Sequence, residues 1–258
     1  MIVIDKLCYS SKLRYVNPFE KFAFTMLTLI FCVVSRSIVL GILVMAVNSY
    51  LTVFRGGISA ARYRNLMTVP LGFLLLSVFA VMINVSRKPL DAFAIPVGNL
   101  YLTAGTDGLI HGAQLIITAL AAVSCLYFLS LNTTMTDILD VLKKLHVPDL
   151  IIELMLLIYR YIFILLDTAY YLTTAQKSRL GHKDLKTSLK SFGAMTQILF
   201  VHAMNRSRAL YDAMESRGYD GRLCVLSENY PPKRRNIVLI VLYESFLLAF
   251  TLYIKLLV

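Results

Sequence analysis

The chain has 258 residues, of which 58% are hydrophobic and 16% charged, with a formal net charge of +11. A soluble domain carries roughly 45–50% apolar and 25% charged residues, so this chain has too little polar surface to cover a water-facing globule. The basic excess is not interleaved with aromatics as a nucleic-acid-binding surface would be, and it fits lysine- and arginine-rich segments on one side of a membrane.

Residues 1–21 hold Asp5, Lys6, Lys12, Arg14, Glu20 and Lys21 with no early apolar core, unlike a signal peptide. Spanning helices, which need about 20 apolar residues, are expected at 18–35, 37–54, 65–86, 109–132 and 236–257. The first opens with Asn17, Pro18 and Glu20: a cap, a proline at the first helical position and a reach-back carboxylate. A tight turn at Ser35-Arg36-Ser37 separates it from the second. Pro70 and Gly72 sit inside the third, where a neighbour must satisfy the carbonyl that proline frees. Residues 87–108, rich in proline and glycine, read as an irregular loop.

Residues 133–235 differ in character, holding 15 of the 26 basic and 10 of the 15 acidic residues. Helices are expected at 135–145, entered through Thr134 and Asp137, at 149–180 ending at Gly181, and at 184–217 ending at Gly218. In the last, Leu185, Leu189, Phe192, Leu199, Ala203, Leu210 and Ala213 recur at spacings of one helical face. The apolar run 150–166 could pass for a sixth span. Five spans with the N-terminus inside place 22 of the 26 basic residues on the cytoplasmic side and Arg36, Arg87, Lys88 and Lys255 outside, which favours five. The run is then a long helix lying against other helices and the membrane surface. The chain divides into 1–132 (four spans), 133–235 (cytoplasmic helices) and 236–258 (the last span). The fold class is all-α: a polytopic membrane protein with about five transmembrane helices and a cytoplasmic domain of long helices.

One local echo stands out. Ala175-Gln176-Lys177-Ser178-Arg179 recurs as Ala213-Met214-Glu215-Ser216-Arg217, each at a helix C-terminus with glycine following. Helix-end chemistry accounts for arginine and glycine separately. It does not account for alanine and serine at the same offsets. The alternative is a pair of helix tips presenting guanidinium groups, whose planar fork binds carboxylates in bidentate fashion, to a partner.

Cys8, Cys32, Cys125 and Cys224 form no C-x-x-C pair, and His111, His146, His182 and His202 are scattered, so a metal site is not expected. No phosphate-binding G-x-x-x-x-G-K-[ST] loop occurs, and Gly181-His182-Lys183 reads as a helix break. Glu244 is the acid well inside a span and is read as partnered by a neighbouring helix rather than as an ion ligand.

Asp5-Lys6-Leu7, Leu13 to Pro18, Thr133 to Thr136, Val147-Pro148, Glu153 to Tyr161 and both Ser-Arg motifs, the second running on to Gly221, together resemble the transmembrane T component of energy-coupling-factor (ECF) transporters, in its cobalt/nickel branch of the CbiQ type. The resemblance covers nearly the whole chain. It implies a non-catalytic coupling subunit of an ATP-driven cobalt importer in the plasma membrane of a prokaryote. Its coupling helices would be cytoplasmic and its C-terminus outside. It implies two ATP-binding-cassette ATPases as partners, holding ATP and Mg. A substrate-binding membrane subunit of the CbiM type would sit alongside, with room for a small accessory membrane subunit. By the same analogy Arg179 and Arg217 dock onto the ATPases, flanked by Ala175, Ser178 and Leu180 and by Ala213, Ser216 and Gly218. The first motif departs from the second in reading Arg-Leu-Gly. Nickel or a vitamin carrier is the alternative cargo system. A membrane-embedded enzyme or a stand-alone channel is the alternative class, against which the scarcity of ionisable residues in the spans argues.

Overall fold

The computed structural model describes the backbone of residues 3–82, 84–86, 93–97, 100–104, 106–221 and 230–257, and side chains over 5–78, 110–221 and 230–253. It divides into two compact units, one of Ile2–Thr134 with Asn229–Val258 and one built on Met135–Glu228.

The first unit contains α1 (Val3–Ser10), α2 (Pro18–Ser35), α3 (Ile38–Tyr50), α4 (Ala60–Met82), α5 (Thr106–Asn132) and α9 (Arg234–Leu257). Asn17 caps α2, its Oδ1 accepting from the Phe19 amide at 2.9 Å, and Pro18 follows where a missing N–H costs nothing. Glu20 does not reach back along its own helix as expected. Its carboxylate accepts from the Lys233 amide at 2.9 Å and from Asn236 Nδ2 at 3.2 Å, capping the start of α9 instead. Asn17 Nδ2 donates to the Tyr230 carbonyl at 2.8 Å, so two residues of α2's entry hold α9's entry beside them.

The expected second span runs through α3 into a π-helical turn, Leu51–Arg55. Gly41 of α3 faces α5 so closely that a Cβ would lie 2.8 Å from Ile117 Cγ2. Such small-residue contacts carry helix packing where lipid offers no hydrophobic drive. At mid-height Cys32, Leu40, Val44, Ala121, Cys125 and Leu247 form a buried cluster joining α2, α3, α5 and α9. Asn48 Nδ2 donates to Cys125 Sγ at 3.1 Å, and Thr28 Oγ1 donates to Glu244 Oε1 at 2.7 Å, so Glu244 is partnered by a neighbouring helix as its sequence context suggests.

Pro70 lies inside α4 and deprives the Leu66 carbonyl, four residues back, of its helical donor. Tyr127 Oη of α5 donates to that carbonyl at 3.2 Å. The neighbour that the sequence requires is thus Tyr127.

Four helical stretches among the described residues are long and apolar enough to cross a membrane: Pro18–Ser35, Ile38–Arg55, Ile110–Asn132 and Arg234–Tyr253. The expected third span falls on α4, which begins at Ala60 and whose side chains beyond residue 78 lie outside the described set. The segment expected as a loop, 87–108, contains strands among its described residues. β1 (Asn84–Ser86), β2 (Phe93–Val97) and β3 (Leu100–Ala104) form an antiparallel sheet in the order β1-β3-β2. Alternating β-branched and aromatic residues on either side of Gly98-Asn99 outweigh the local proline and glycine content. Arg87, Lys88, Pro89, Gly98 and Gly105 themselves lie outside the described residues.

The second unit contains α6 (Met135–Lys144), α7 (Asp149–Ser178) and α8 (Leu185–Glu215). Glu153 near the start of α7 accepts from Tyr219 Oη, just past the end of α8, at 2.8 Å. Near the other end, Gln176 Nε2 donates to the Ser191 carbonyl at 2.8 Å. The two long helices therefore run back beside each other, tied at both ends. No residue of α8 is buried, and its expected apolar face is open at Leu185, Leu189 and Phe192, which are 93%, 75% and 59% exposed. Of that face Leu199, Ala203 and Leu210 are partly covered, and Ser191, Met195 and Met214 join them in the covered stripe. Polar ties near the tip set the rotation of α8, and they turn Ser191 rather than Leu189 inward.

Candidate functional site: two arginine-tipped helix ends

The two copies of the sequence echo end in the same backbone device. At the end of α7 the Gly181 amide donates to the Gln176 carbonyl at 2.8 Å and the Leu180 amide to the Lys177 carbonyl at 3.1 Å. At the end of α8 the Tyr219 amide donates to the Met214 carbonyl at 3.1 Å and the Gly218 amide to the Glu215 carbonyl at 3.0 Å. These paired bonds are the Schellman arrangement, in which one residue adopts the left-handed conformation. Gly218 takes it at φ 74° and Leu180 at φ 58°.

This geometry corrects the alignment suggested by the glycines. Leu180, not Gly181, is the counterpart of Gly218, and the Arg-Leu-Gly departure disappears at the level of backbone position. Gly181 has a separate reason to be glycine: a Cβ there would lie 2.9 Å from the Gln176 carbonyl oxygen and 2.9 Å from Ser191 Oγ. Arg179 and Arg217 fall at equivalent stations, each the last residue before the left-handed turn. Ser178 Oγ donates to the Thr174 carbonyl at 3.1 Å and Ser216 Oγ to the Ala213 carbonyl at 3.0 Å, so each serine turns back onto a carbonyl of its own helix.

Ala175, Ser178, Arg179, Leu180, Ala213, Ser216, Arg217 and Gly218 are all exposed. Among the described residues neither Arg179 nor Arg217 makes an ion pair. Positive charge at a helix C-terminus complements the helix dipole. The two tips are not brought together. α7 ends where α8 begins, and the 31 residues of α8 place Arg217 about 45 Å from the Arg179 end at 1.5 Å per residue.

Two features went unread in the sequence. One is the Tyr219–Glu153 bond, which fixes the second tip on the base of α7; the bond raises the Tyr219 phenol above its ordinary value, with burial adding to it. The other is an apolar stripe on α7 at Leu150, Leu154, Ile158, Ile162 and Leu166, each exposed and four residues from the next. Its spacing was visible, but an apolar run does not announce which of its faces stays open. Cys8, Cys32 and Cys125 are free thiols, and Cys224 lies outside the described residues. Among the described residues no three His, Cys, Asp or Glu side chains are grouped to hold a metal ion.

The apolar helices packed around α5 define a polytopic helical membrane protein. A family model described as the cobalt transport protein CbiQ matches residues 9–226. The chain is 28% identical over 222 residues to the cobalt transport protein CbiQ of Salmonella typhimurium, covering 86% of this chain and 98% of that one. It is 29% identical over 228 residues to a putative fused cobalt transport protein CbiMQ of Methanocorpusculum labreanum, covering 88% of this chain and 38% of that longer protein. It is also 29% identical over 133 residues to the energy-coupling factor transporter transmembrane protein EcfT of Staphylococcus aureus, covering 47% of this chain and 50% of that one. The chain belongs to the CbiQ cobalt transport protein family.

Proposed function

We propose that this chain is the coupling subunit of an ATP-driven cobalt importer, converting closure of two partner ATPases into movement of a substrate-binding membrane subunit. The observation that carries the reading is the pair of equivalent tips: two exposed arginines in one backbone setting, about 45 Å apart by helical rise, at opposite ends of a helix pair. Two like sockets, one on each of two like ATPases, match two like plugs.

ATP and Mg are held by the partner ATPases, and hydrolysis takes place there. When the ATPases close, the docked tips and the helices between them are carried along together. The Gln176–Ser191 tie at one end and the Tyr219–Glu153 tie at the other make the helix pair a strut that moves as one piece. The exposed stripe Leu150 to Leu166 on α7 gives an apolar membrane subunit of the CbiM type a seat on the same strut. The fusion of CbiM and CbiQ in one relative supports that partner. The cytoplasmic side is the one bearing the N-terminus, Arg55, Arg62, Arg64 and the 133–235 segment, on the distribution of basic residues.

Co-expression with ATP-binding-cassette ATPases of the same transporter tests the dock. Arg179→Glu and Arg217→Glu, made singly, each reduce ATPase co-purification at equal membrane levels, and the double variant abolishes it. Undiminished co-purification by the double variant returns both motifs to helix-end chemistry.

A further inference from the structure

A cavity of about 610 Å³ opens in the first unit between α9 and the α3 end of the helix bundle, over α2 and α5. Its volume falls within the roughly 300–1,000 Å³ of ligand clefts. The lining is split by chemistry. Arg55, Lys233 and Arg235 stand at one end; Val47, Leu51, Phe128 and Leu239 line the depth.

The cationic end lies at a membrane boundary. The apolar stretch through α3 stops at Arg55, and the one through α9 starts at Arg234, and both ends are on the side of the bundle where Glu20 meets Lys233 and Asn236. From Arg55 to Val47, and from Arg235 to Tyr243, eight residues of helix carry the walls about 12 Å toward mid-bundle. The cluster around Cys32, Val44 and Leu247 closes the helices together beyond that depth.

Among the described residues the charges do not cancel. Glu20 is the one acid of the lining, and both its oxygens are engaged by the start of α9. Lys21 Nζ points its bonds elsewhere, to the Leu13 carbonyl at 3.1 Å and the Asn132 carbonyl at 2.8 Å. Arg55, Lys233 and Arg235 make no ion pair among the described residues. Arg55 is presented by the π-helical turn Leu51–Arg55, a distortion that often marks a functional position.

We propose that this cavity is a binding site for one anionic phospholipid. The phosphate lies among Arg55, Lys233 and Arg235, and the acyl chains run down the apolar walls into the bilayer. Basic pockets between spanning helices suit such headgroups. A soluble anion would leave the apolar depth unfilled, and an uncharged lipid would leave three cations unanswered. The inference rests on the membrane-spanning fold and is independent of the coupling role.

Native mass spectrometry of the full chain, extracted from membranes and offered phosphatidylglycerol or phosphatidylcholine with identical acyl chains, tests it. The expected result is one phosphatidylglycerol retained under activation that strips phosphatidylcholine. Arg55→Gln/Lys233→Gln/Arg235→Gln reduces retention at least tenfold. Val47→Trp, which fills the depth and leaves the cations in place, does the same. Equal retention of the two lipids overturns the proposal with no variant needed. So does full retention by the triple variant, or by Val47→Trp, which would put the lipid on surface charge outside the cavity. If the triple variant fails to fold, Arg55→Gln alone is read in the same way. Phosphate or a partner peptide held in place of lipid also refutes it.

Discussion

Leu180 offers a perturbation in which stability and function move in opposite directions. It is a branched, 71% exposed residue held at φ 58°. The left-handed conformation costs an L-residue about 1–2 kcal/mol. Glycine removes that strain and returns about 0.4–1 kcal/mol through the greater freedom of the unfolded chain. Leu180→Gly is therefore expected to stabilise the protein by about 0.5–1 kcal/mol, or about 1–4 °C in a chain of this size. If Leu180 is strained because a partner needs its side chain at the tip, the same substitution forfeits about 1.5–3 kcal/mol of burial in the complex. That is a loss of roughly 10–150-fold in affinity. Thermal unfolding in detergent and titration with the purified ATPases read the two quantities separately. A variant both stabler and weaker-binding supports the reasoning. A stabler variant that binds as before makes Leu180 a mere helix cap, and a destabilised one refutes the strain.

Further predictions concern the fold that carries the tips. Tyr127→Phe is expected to cost about 0.6–1.7 kcal/mol, the range of membrane-embedded hydrogen bonds, and to cost little in a Pro70→Ala background, where the Leu66 carbonyl regains its helical donor; equal costs in both backgrounds would break the link. Tyr219→Phe is expected to weaken ATPase co-purification while membrane insertion is unchanged, and an unaffected complex would mean that the tie to Glu153 does not position the second tip. Burial and the neighbouring Asp137 raise the Asp140 carboxyl above its usual range, with Lys144 and Lys143 opposing. Folded Asp140 thus holds its proton more tightly than unfolded, so its contribution is favourable below the ordinary carboxylate value and is lost as pH rises through the raised one. Asp140→Asn should be at least as stable as wild type at pH 7 and show a flatter stability profile just above the ordinary carboxylate range, and a less stable variant at pH 7 would contradict the assignment.

Local signals were legible in the sequence. Asn17-Pro18 marks the start of α2 to the residue, because a cap and a first-turn proline act within three positions. The lengths of α7 and α8 follow from Pro148, Gly181 and Gly218 to within a few residues. The echoed arginines were visible as a pattern, and their equal stations became clear only from the bonds closing each helix end, since Leu180 does work that sequence reasoning assigns to glycine. Longer-range choices were beyond reach. Glu20 looks like half of a capping box, yet its partners are 213 and 216 residues away. The Tyr219–Glu153 tie spans 66 residues. The pairing of β2 with β3 is obscured in the sequence by glycine and proline, which overshadow the alternation around Gly98-Asn99.

The coupling claim is tested most directly by labelled cobalt uptake in cells carrying this chain with its ATPases and its substrate-binding subunit, wild type against Arg179→Glu/Arg217→Glu at matched membrane levels. Losing a desolvated arginine at a docked contact costs about 2–5 kcal/mol, so two reversals should eliminate uptake and ATPase co-purification together. Uptake at the wild-type rate by the double variant would contradict the account.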